Sequence, residues 1–449
     1  MTSLQSTCFM LAVVFAAPML TAQEGGIDGR VRSAVKGSVP SLLSLYHDLH
    51  RHPEISFQEE KTGEKLAARL RALGFEVETK IGGFGVVGVF RNGAGPTVML
   101  RTDTDALPIK EETGLPFASV ETTVDEDGKT VPTMHACGHD MHMTIWSGAA
   151  KVLVAMKDAW SGTLVLIGQP AEERGMGATA MIRDGLFKRF PRPGCVFALH
   201  VDSELPAGRI GYREGYGMAN VDSVDILVKG RGGHGAYPHK ALDPVVIAAH
   251  IVVQIQTIVS REVPPHEAAV VTVGSIHGGT KHNIIPNEVK LQLTVRSYGD
   301  EPRRKLIDSI KRVARHVAQA QGAPDDLLPD VTMNDQFTPS TYNTPALVTP
   351  TVAAFRRVFG ESAVTRLEPK TWGEDFGQYG RVEPRIPIFM YFLGAQDPAV
   401  FEESRREGTP LPGLHSSRFA PAAIPTLTTG VRAMVTAVLE QLGNDAKDR

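Results

Sequence analysis

Cysteine is scarce in this chain: three residues in 449. That is too few for a disulfide framework. Cys8 lies in an N-terminal apolar stretch, which leaves Cys137 and Cys195. A bridge between those two would consume a thiolate that the next motif needs, so both are expected to be free. Charge of one sign is also lacking. Lys and Arg total 47 against 50 Asp and Glu, a formal net charge of −3. No basic patch is there to argue for a nucleic-acid partner. Low-complexity runs and repeats at solenoid period are absent. Beyond the N-terminus, no segment reads as apolar for long enough to span a bilayer, so no stable membrane span is expected in the mature chain. Two glycine-dense segments, Gly230–Ala236 and Gly278–Pro286, lack the Gly-Lys-Ser/Thr ending and the strand–Gly–helix setting of a phosphate loop.

The N-terminus reads as a secretory signal. Phe9 to Leu20 is continuously apolar, and Ala22 before Gln23 suits signal-peptidase cleavage, although no Lys or Arg precedes the run. Residues 1–22 are therefore expected to be removed and the protein exported, to a periplasm or outside the cell. The remaining chain is too long for one typical core, so two domains are expected.

Helix and strand patterns alternate after the signal. Leu42, Leu43, Leu45, Tyr46 and Leu49 form one helical stripe; Leu66, Leu70 and Leu73 form another, stopped by Gly74. Strand-like runs follow at 75–79, 86–90, 97–100, 163–167 and 195–199, with a helix from about Met143 to Met156. This alternation predicts an α/β domain with a mixed, largely parallel sheet. The middle of the chain differs. Strand patterns at 221–228, 270–275, 289–295 and 330–333 enclose helices at 244–260 and 303–321, with Asp243 as an N-cap and Pro244 at the first helical position. The order β-α-β-β-α-β is that of a ferredoxin-like α+β unit. Residues 217–333 are read as an inserted second domain, with the first formed by 23–216 and 334–449.

Two short segments carry the chemistry. One is Met134-His135-Ala136-Cys137-Gly138-His139-Asp140-Met141-His142, the other Gln169-Pro170-Ala171-Glu172-Glu173. A thiolate and an imidazole two residues apart can grip one borderline metal ion. Paired carboxylates can divide labour between ligation and proton transfer. Cys137 or His139 alone would more often be a core residue; Gly138 between them lets the backbone turn and aim both inward. Asp140 can orient an imidazole. His135 and His142 rank lower, because one tight turn cannot point every group inward. Glu172-Glu173 could be a solvated pair, but it follows a buried strand. Asp103 and Asp105 follow the strand ending at Leu100, and His200 follows the one ending at Leu199. Sites in open α/β sheets form beyond the carboxyl ends of strands. His415 alone reads as a loop histidine.

Taken together, these segments resemble the metal-dependent amidohydrolases related to aminoacylases, hippurate hydrolases and indole-acetyl-amino-acid hydrolases, within the dinuclear metallo-carboxypeptidase group. The similarity runs from Leu49-His50-Arg51-His52-Pro53-Glu54 through Arg101–Pro108, the two segments above, Gly232–Ala236, Asn283-Ile284-Ile285-Pro286 and Glu374-Asp375-Phe376 to Leu414-His415. It implies five ligands, Cys137, His139, Glu173, His200 and His415, for two divalent cations, Mn²⁺ or Zn²⁺ with Ni²⁺ or Co²⁺ as further candidates. It implies Glu172 as general base and acid acting on a metal-activated water, and Asp105 as a support for the metals. Asp103 stands where the wider group has a ligand, and this branch does not use it. The inserted domain is implied to mediate a homodimer, with His234 reaching a neighbouring subunit's site to stabilise the transition state and Asn283 binding substrate. Gly373 stands where a serine is usual, and Arg174-Gly175-Met176-Gly177 where relatives are richer in glycine. The expected reaction is hydrolysis of an N-acyl amino acid or a related small-molecule amide. A dipeptidase or carboxypeptidase on the same site is the alternative, and a non-catalytic metal-binding protein a more distant one.

Overall fold

Residues 26–333 and 337–443 are described by a computed structural model. The signal-peptide segment 1–22 lies outside the described residues. Two sheets organise the chain. Their strands are β1 (Glu76–Ile81), β2 (Gly85–Asn92), β3 (Thr97–Asp103), β4 (Gly162–Gln169), β5 (Cys195–Pro206), β6 (Ile210–Tyr212), β7 (Asn220–Lys229), β8 (Val270–Gly278), β9 (Glu288–Ser297), β10 (Asp330–Met333), β11 (Val364–Arg366) and β12 (Ile388–Gln396). The helices that matter here are α1 (Ile27–Arg51), α2 (Glu60–Ala72), α3 (His139–Ala155), α4 (Pro244–Thr257), α5 (Asp300–Ala320), α6 (Pro345–Phe359) and α7 (Ala423–Leu442).

The large sheet has the order β1-β2-β4-β3-β5-β12-β6-β11. Its centre, β4-β3-β5-β12, is parallel throughout, while β1, β2 and β6 pair antiparallel at the flanks. Central parallel strands are covered on both faces, which is why they read as unbroken apolar runs. Alternate residues serve the two faces. Leu100, Leu166, Phe197 and Tyr391 pack under α1, α3, α6 and α7, whereas Met99, Val165, Val196 and Met390 meet Met181, Phe376 and Tyr379 on the other side. Gly74 closes α2 in the left-handed region at φ 87°, as its position implied.

The small sheet has the order β8-β9-β7-β10, fully antiparallel, with α4 and α5 against one face. Strand burial alternates strictly along β9 because that face alone meets the helices. Asp243 caps α4 through Val245 N at 2.9 Å. The segment Pro244–Glu262 is apolar enough by length and composition to rival a membrane span, which the sequence reading did not anticipate. Its stripe of Ile247, Ile251, Ile255 and Ile258 is buried in the second core instead. Chain entry and exit are stitched together, since Gly215–Met218 pairs antiparallel with Thr341–Asn343.

Three of the elements that position the site differ from the sequence expectation. α3 begins at His139 rather than near Met143, so the Cys-Gly-His turn feeds straight into the helix. β5 continues past Leu199 to Pro206 because Val201 and Asp202 pair with Leu393 and Gly394 of β12, which places His200 inside the strand. β12 itself, buried along its whole length, was not anticipated.

Candidate metal centre

Parallel strands point their carboxyl ends one way, and the polar residues cluster there. β3 delivers Asp103 and then Asp105; the turn after β4 delivers Glu172 and Glu173; β5 carries His200. Gly138 sits at φ 79°, and a Cβ there would lie 2.6 Å from Val201 Cγ2. Both the dihedral and the space require glycine. Gly138→Ala is expected to lower stability by about 1–3 kcal/mol and to weaken metal retention, as thermal melts and metal analysis would register.

Cys137 Sγ lies 3.6 Å from His200 Nε2. His139 Nε2 lies 3.8 Å from Glu173 Oε1 and 3.9 Å from Glu172 Oε2. His415 Nε2 lies 3.5 Å from Glu173 Oε2. The ring orientations are fixed from behind. His139 Nδ1 donates to the Asp105 carbonyl and His200 Nδ1 to that of Val201, each at 2.8 Å, so both Nε2 lone pairs face the cluster. Three overlapping donor sets result, each with its atoms within 4.8 Å of one another: Cys137/His139/His200, Cys137/Glu173/His415 and His139/Glu172/Glu173.

The lower-ranked candidates are occupied or set apart. His142 donates Nδ1 to Asp103 at 2.8 Å and accepts the Val201 amide on Nε2 at 2.9 Å, which leaves no lone pair for a metal. Asp103 is held by Arg101 at 2.6 Å as well as by His142. His135 is buried with neither ring nitrogen bonded, and burial pushes its pKa down to about 4. Asp140 does orient an imidazole, but that of His50 (2.7 Å) rather than a ligand. Asp105 accepts from Ser56 Oγ at 2.7 Å and from the Glu173 amide at 3.0 Å, which ties the Glu172-Glu173 turn to the end of β3. Cys137 and Cys195 are both free and buried.

Residues 99–411 match the family described as Peptidase family M20/M25/M40. The chain belongs to that family. It is 35% identical to thermostable carboxypeptidase 1 of Saccharolobus solfataricus over 84% of this chain and 90% of that one. It is 37% identical to the hippurate hydrolase of Campylobacter jejuni, over 78% and 90% respectively. Among solved structures, a Bacillus subtilis protein described as a dinuclear metal binding peptidase from the M20 family superposes with a TM-score of 0.72 at 29% identity, covering 90% of this chain and 99% of that one. The protein is a metal-dependent hydrolase of the amidohydrolase and peptidase kind.

The electrostatics of this M20 hydrolase fit cations. His139 Nε2, Glu173 Oε1 and Asp105 Oδ1 are buried without a hydrogen-bond partner. Orphaned polar atoms of this kind are costly, and a cation would satisfy lone pairs that no donor reaches. Burial, then the neighbouring Glu374 and Glu173, push the Glu172 carboxyl well above its ordinary range. Burial likewise lifts Glu173 to about 7 and, helped by Glu173 and Glu172, raises the Cys137 thiol. Burial opposes charge on His139, yet Asp103 and the other carboxylates raise it to about 10. The cluster is therefore short of positive charge, which a hard or borderline cation supplies.

Beneath the cluster, fully buried Arg101 binds Gln169, Asp103, Glu374 and Asp375 at 2.6–3.3 Å. Alongside it, His50 bridges Asp140 and Glu111, and those carboxylates, after overcoming burial, raise its pKa to about 10. Its stabilising contribution is full below about pH 6.5, its ordinary value, and fades as pH rises through about 10. In metal-free protein His50→Gln is expected to cost about 3–5 kcal/mol near pH 6.5, with the gap from wild type closing towards pH 10 in denaturant titrations.

The cluster opens into a cleft of about 820 Å³ lined by Cys137, Glu172, Glu173, His200, Arg296, Lys370, Trp372 and His415 among others. Trp372 lies edge-on to His200 with centroids 4.8 Å apart. Gly373 also lines the cleft, and a Cβ there would meet Val221 Cγ2 at 2.2 Å, so the serine usual at this position would collide with Val221. Arg296, Lys370 and Trp372 gave no sequence signal, being single residues outside any motif. The structure brings together Asp105, Cys137, His139, Glu172, Glu173, His200 and His415. His234 and Asn283 do not line this cleft; both are exposed on the small-sheet unit, where His234 pairs with Ile284.

Proposed function

We propose that the protein hydrolyses the amide bond of N-acyl amino acids, with Cys137, His139, Glu173, His200 and His415 holding two divalent cations. The supporting observation is the buried, cation-deficient cluster beside Glu172, opening on a cleft that holds a guanidinium with no carboxylate at ion-pair distance among the described residues. Cations bound there would polarise the amide carbonyl, acidify a water and bring the Glu172 carboxyl into the range where it accepts a proton. Glu172 then takes the proton from the attacking water and returns it to the leaving amine. Asp105 supports the site through its bonds to the Glu173 amide and to Ser56. A thiolate with three imidazoles suits Zn²⁺, with Mn²⁺ the main alternative and Ni²⁺ or Co²⁺ after it.

Three cations line the cleft, and two are already engaged. Arg174 pairs with Glu126 at 2.6 Å, and Lys370 with Asp202 and Glu204. Arg296, half-buried on β9, has no carboxylate at ion-pair distance among the described residues; it would receive the carboxylate of the amino-acid half. Arg296→Leu is expected to raise KM for an N-acyl amino acid by about 10- to 100-fold and to leave the corresponding N-acyl amine, which lacks the carboxylate, nearly unaffected. Equal losses on both substrates would remove Arg296 from this role.

His234 and Asn283 enter the same scheme from a second copy, in a homodimer formed through the inserted unit, with His234 facing the developing oxyanion. Export after loss of residues 1–22 completes the reading. The carboxypeptidase relative favours a second reading, peptide cleavage at the same site. Parallel assays on N-acyl amino acids and on dipeptides separate the two, and a clear preference for dipeptides overturns the first.

A further inference from the structure

His415 differs from the other four residues of the centre. Its side chain is 55% exposed, whereas those of His139 and Glu173 are 9% exposed or less. Its φ of +65° lies in the left-handed region, which a histidine occupies only when its surroundings hold it there. Two contacts do so. The His415 amide donates to the Ala136 carbonyl at 2.9 Å, beside Cys137. Two residues on, Ser417 is gripped twice by Glu112: the Glu112 amide donates to the Ser417 carbonyl and Ser417 Oγ donates to Glu112 Oε2, each at 2.7 Å.

The Glu112 segment is itself anchored. Neighbouring Glu111 accepts from His50 Nε2 at 2.9 Å, from the Ser119 amide at 2.6 Å and from Thr113 Oγ1. Phe117 stacks on His47 at 3.9 Å. His50 in turn binds Asp140, the residue after His139. A continuous set of contacts therefore runs from the first turn of α3 through His50 and Glu111 to Glu112, Ser417 and the loop that carries His415.

Building on the ligand assignment above, we propose that segment 109–119 is a clamp that sets the position of His415, with Glu112 and Ser417 as positioning residues for the cation His415 binds. Neither residue touches that cation in this scheme; each acts by fixing a strained, exposed loop. Removing such outer partners typically weakens metal binding by about 10- to 100-fold.

Zn²⁺ titration of the reduced, metal-free, full-length protein tests this. Glu112→Ala and Ser417→Ala should each raise the weaker of the two Zn²⁺ dissociation constants about tenfold, and the double variant no further, since one contact is lost in every case. Ser417→Thr should keep the wild-type constant. The tighter constant and the melting temperature of the metal-free protein should stay unchanged, which a general destabilisation would not allow. Constants within about twofold of wild type in both single variants, additive losses in the double variant, or a parallel fall in melting temperature would each overturn the clamp. His415→Ala is the separate control. If it binds two Zn²⁺ as tightly as wild type, the ligand assignment fails, whatever Glu112 does.

Discussion

Glu172→Gln is expected to lower kcat by about a hundred- to ten-thousandfold while both cations stay bound. The argument rests on location. Glu172 follows β4 beside Glu173, is buried, lies 3.9 Å from His139 Nε2 and joins only the His139/Glu172/Glu173 set of the three, at the edge of the cluster. Its carboxyl is pushed up by burial and by Glu374, so it takes up a proton readily once a cation has offset that push. Glutamine keeps the shape and removes the proton-carrying function. Turnover of an N-acyl amino acid measured beside metal content decides the matter: near-wild-type turnover would end the role of Glu172 as base, and lost metal would make it a ligand instead.

His139→Ala is expected to have the second-largest effect. His139 belongs to two of the donor sets, is fully buried, and has one nitrogen fixed by the Asp105 carbonyl and the other without a partner. Its loss removes a donor common to both of those sets and leaves Glu172, Glu173 and Asp103 around a buried gap. Tight cation binding should fall below one per chain, and turnover by about a thousandfold or more, since a cation's charge stabilisation is worth several kcal/mol. Undiminished metal content after gel filtration would contradict the assignment.

Much of this candidate centre is legible in the sequence. Cys137, Gly138 and His139 announce themselves because a turn needs a glycine where two candidate ligands point the same way. Glu172, Glu173 and Asp105 announce themselves by following apolar strands. What stayed hidden has physical causes. The start of α3 was misplaced because its first turn, His139 to His142, is built for the site and interrupts the apolar pattern that marks a helix. The polar run Asp202, Ser203 and Glu204 hides the far end of β5; pairing with β12, nearly two hundred residues away in sequence, resumes on either side of a bulge, at Asp202 and at Pro206. The partner of Asp140 could not be guessed, since His50 lies 90 residues upstream. Arg296 is visible only once β9 is folded against the cleft. The ferredoxin-like unit is readable because its one-sided sheet imposes alternation along β7 and β9, and because Asp243 caps α4.

The most direct test of the account is elemental analysis of the reduced protein, run beside hydrolysis of an N-acyl amino-acid panel with and without added Zn²⁺ or Mn²⁺. The account expects about two cations per chain and turnover that vanishes on chelation and returns on reloading. Protein that carries no metal and cleaves nothing, with Cys137 reduced and both ions supplied, would contradict it.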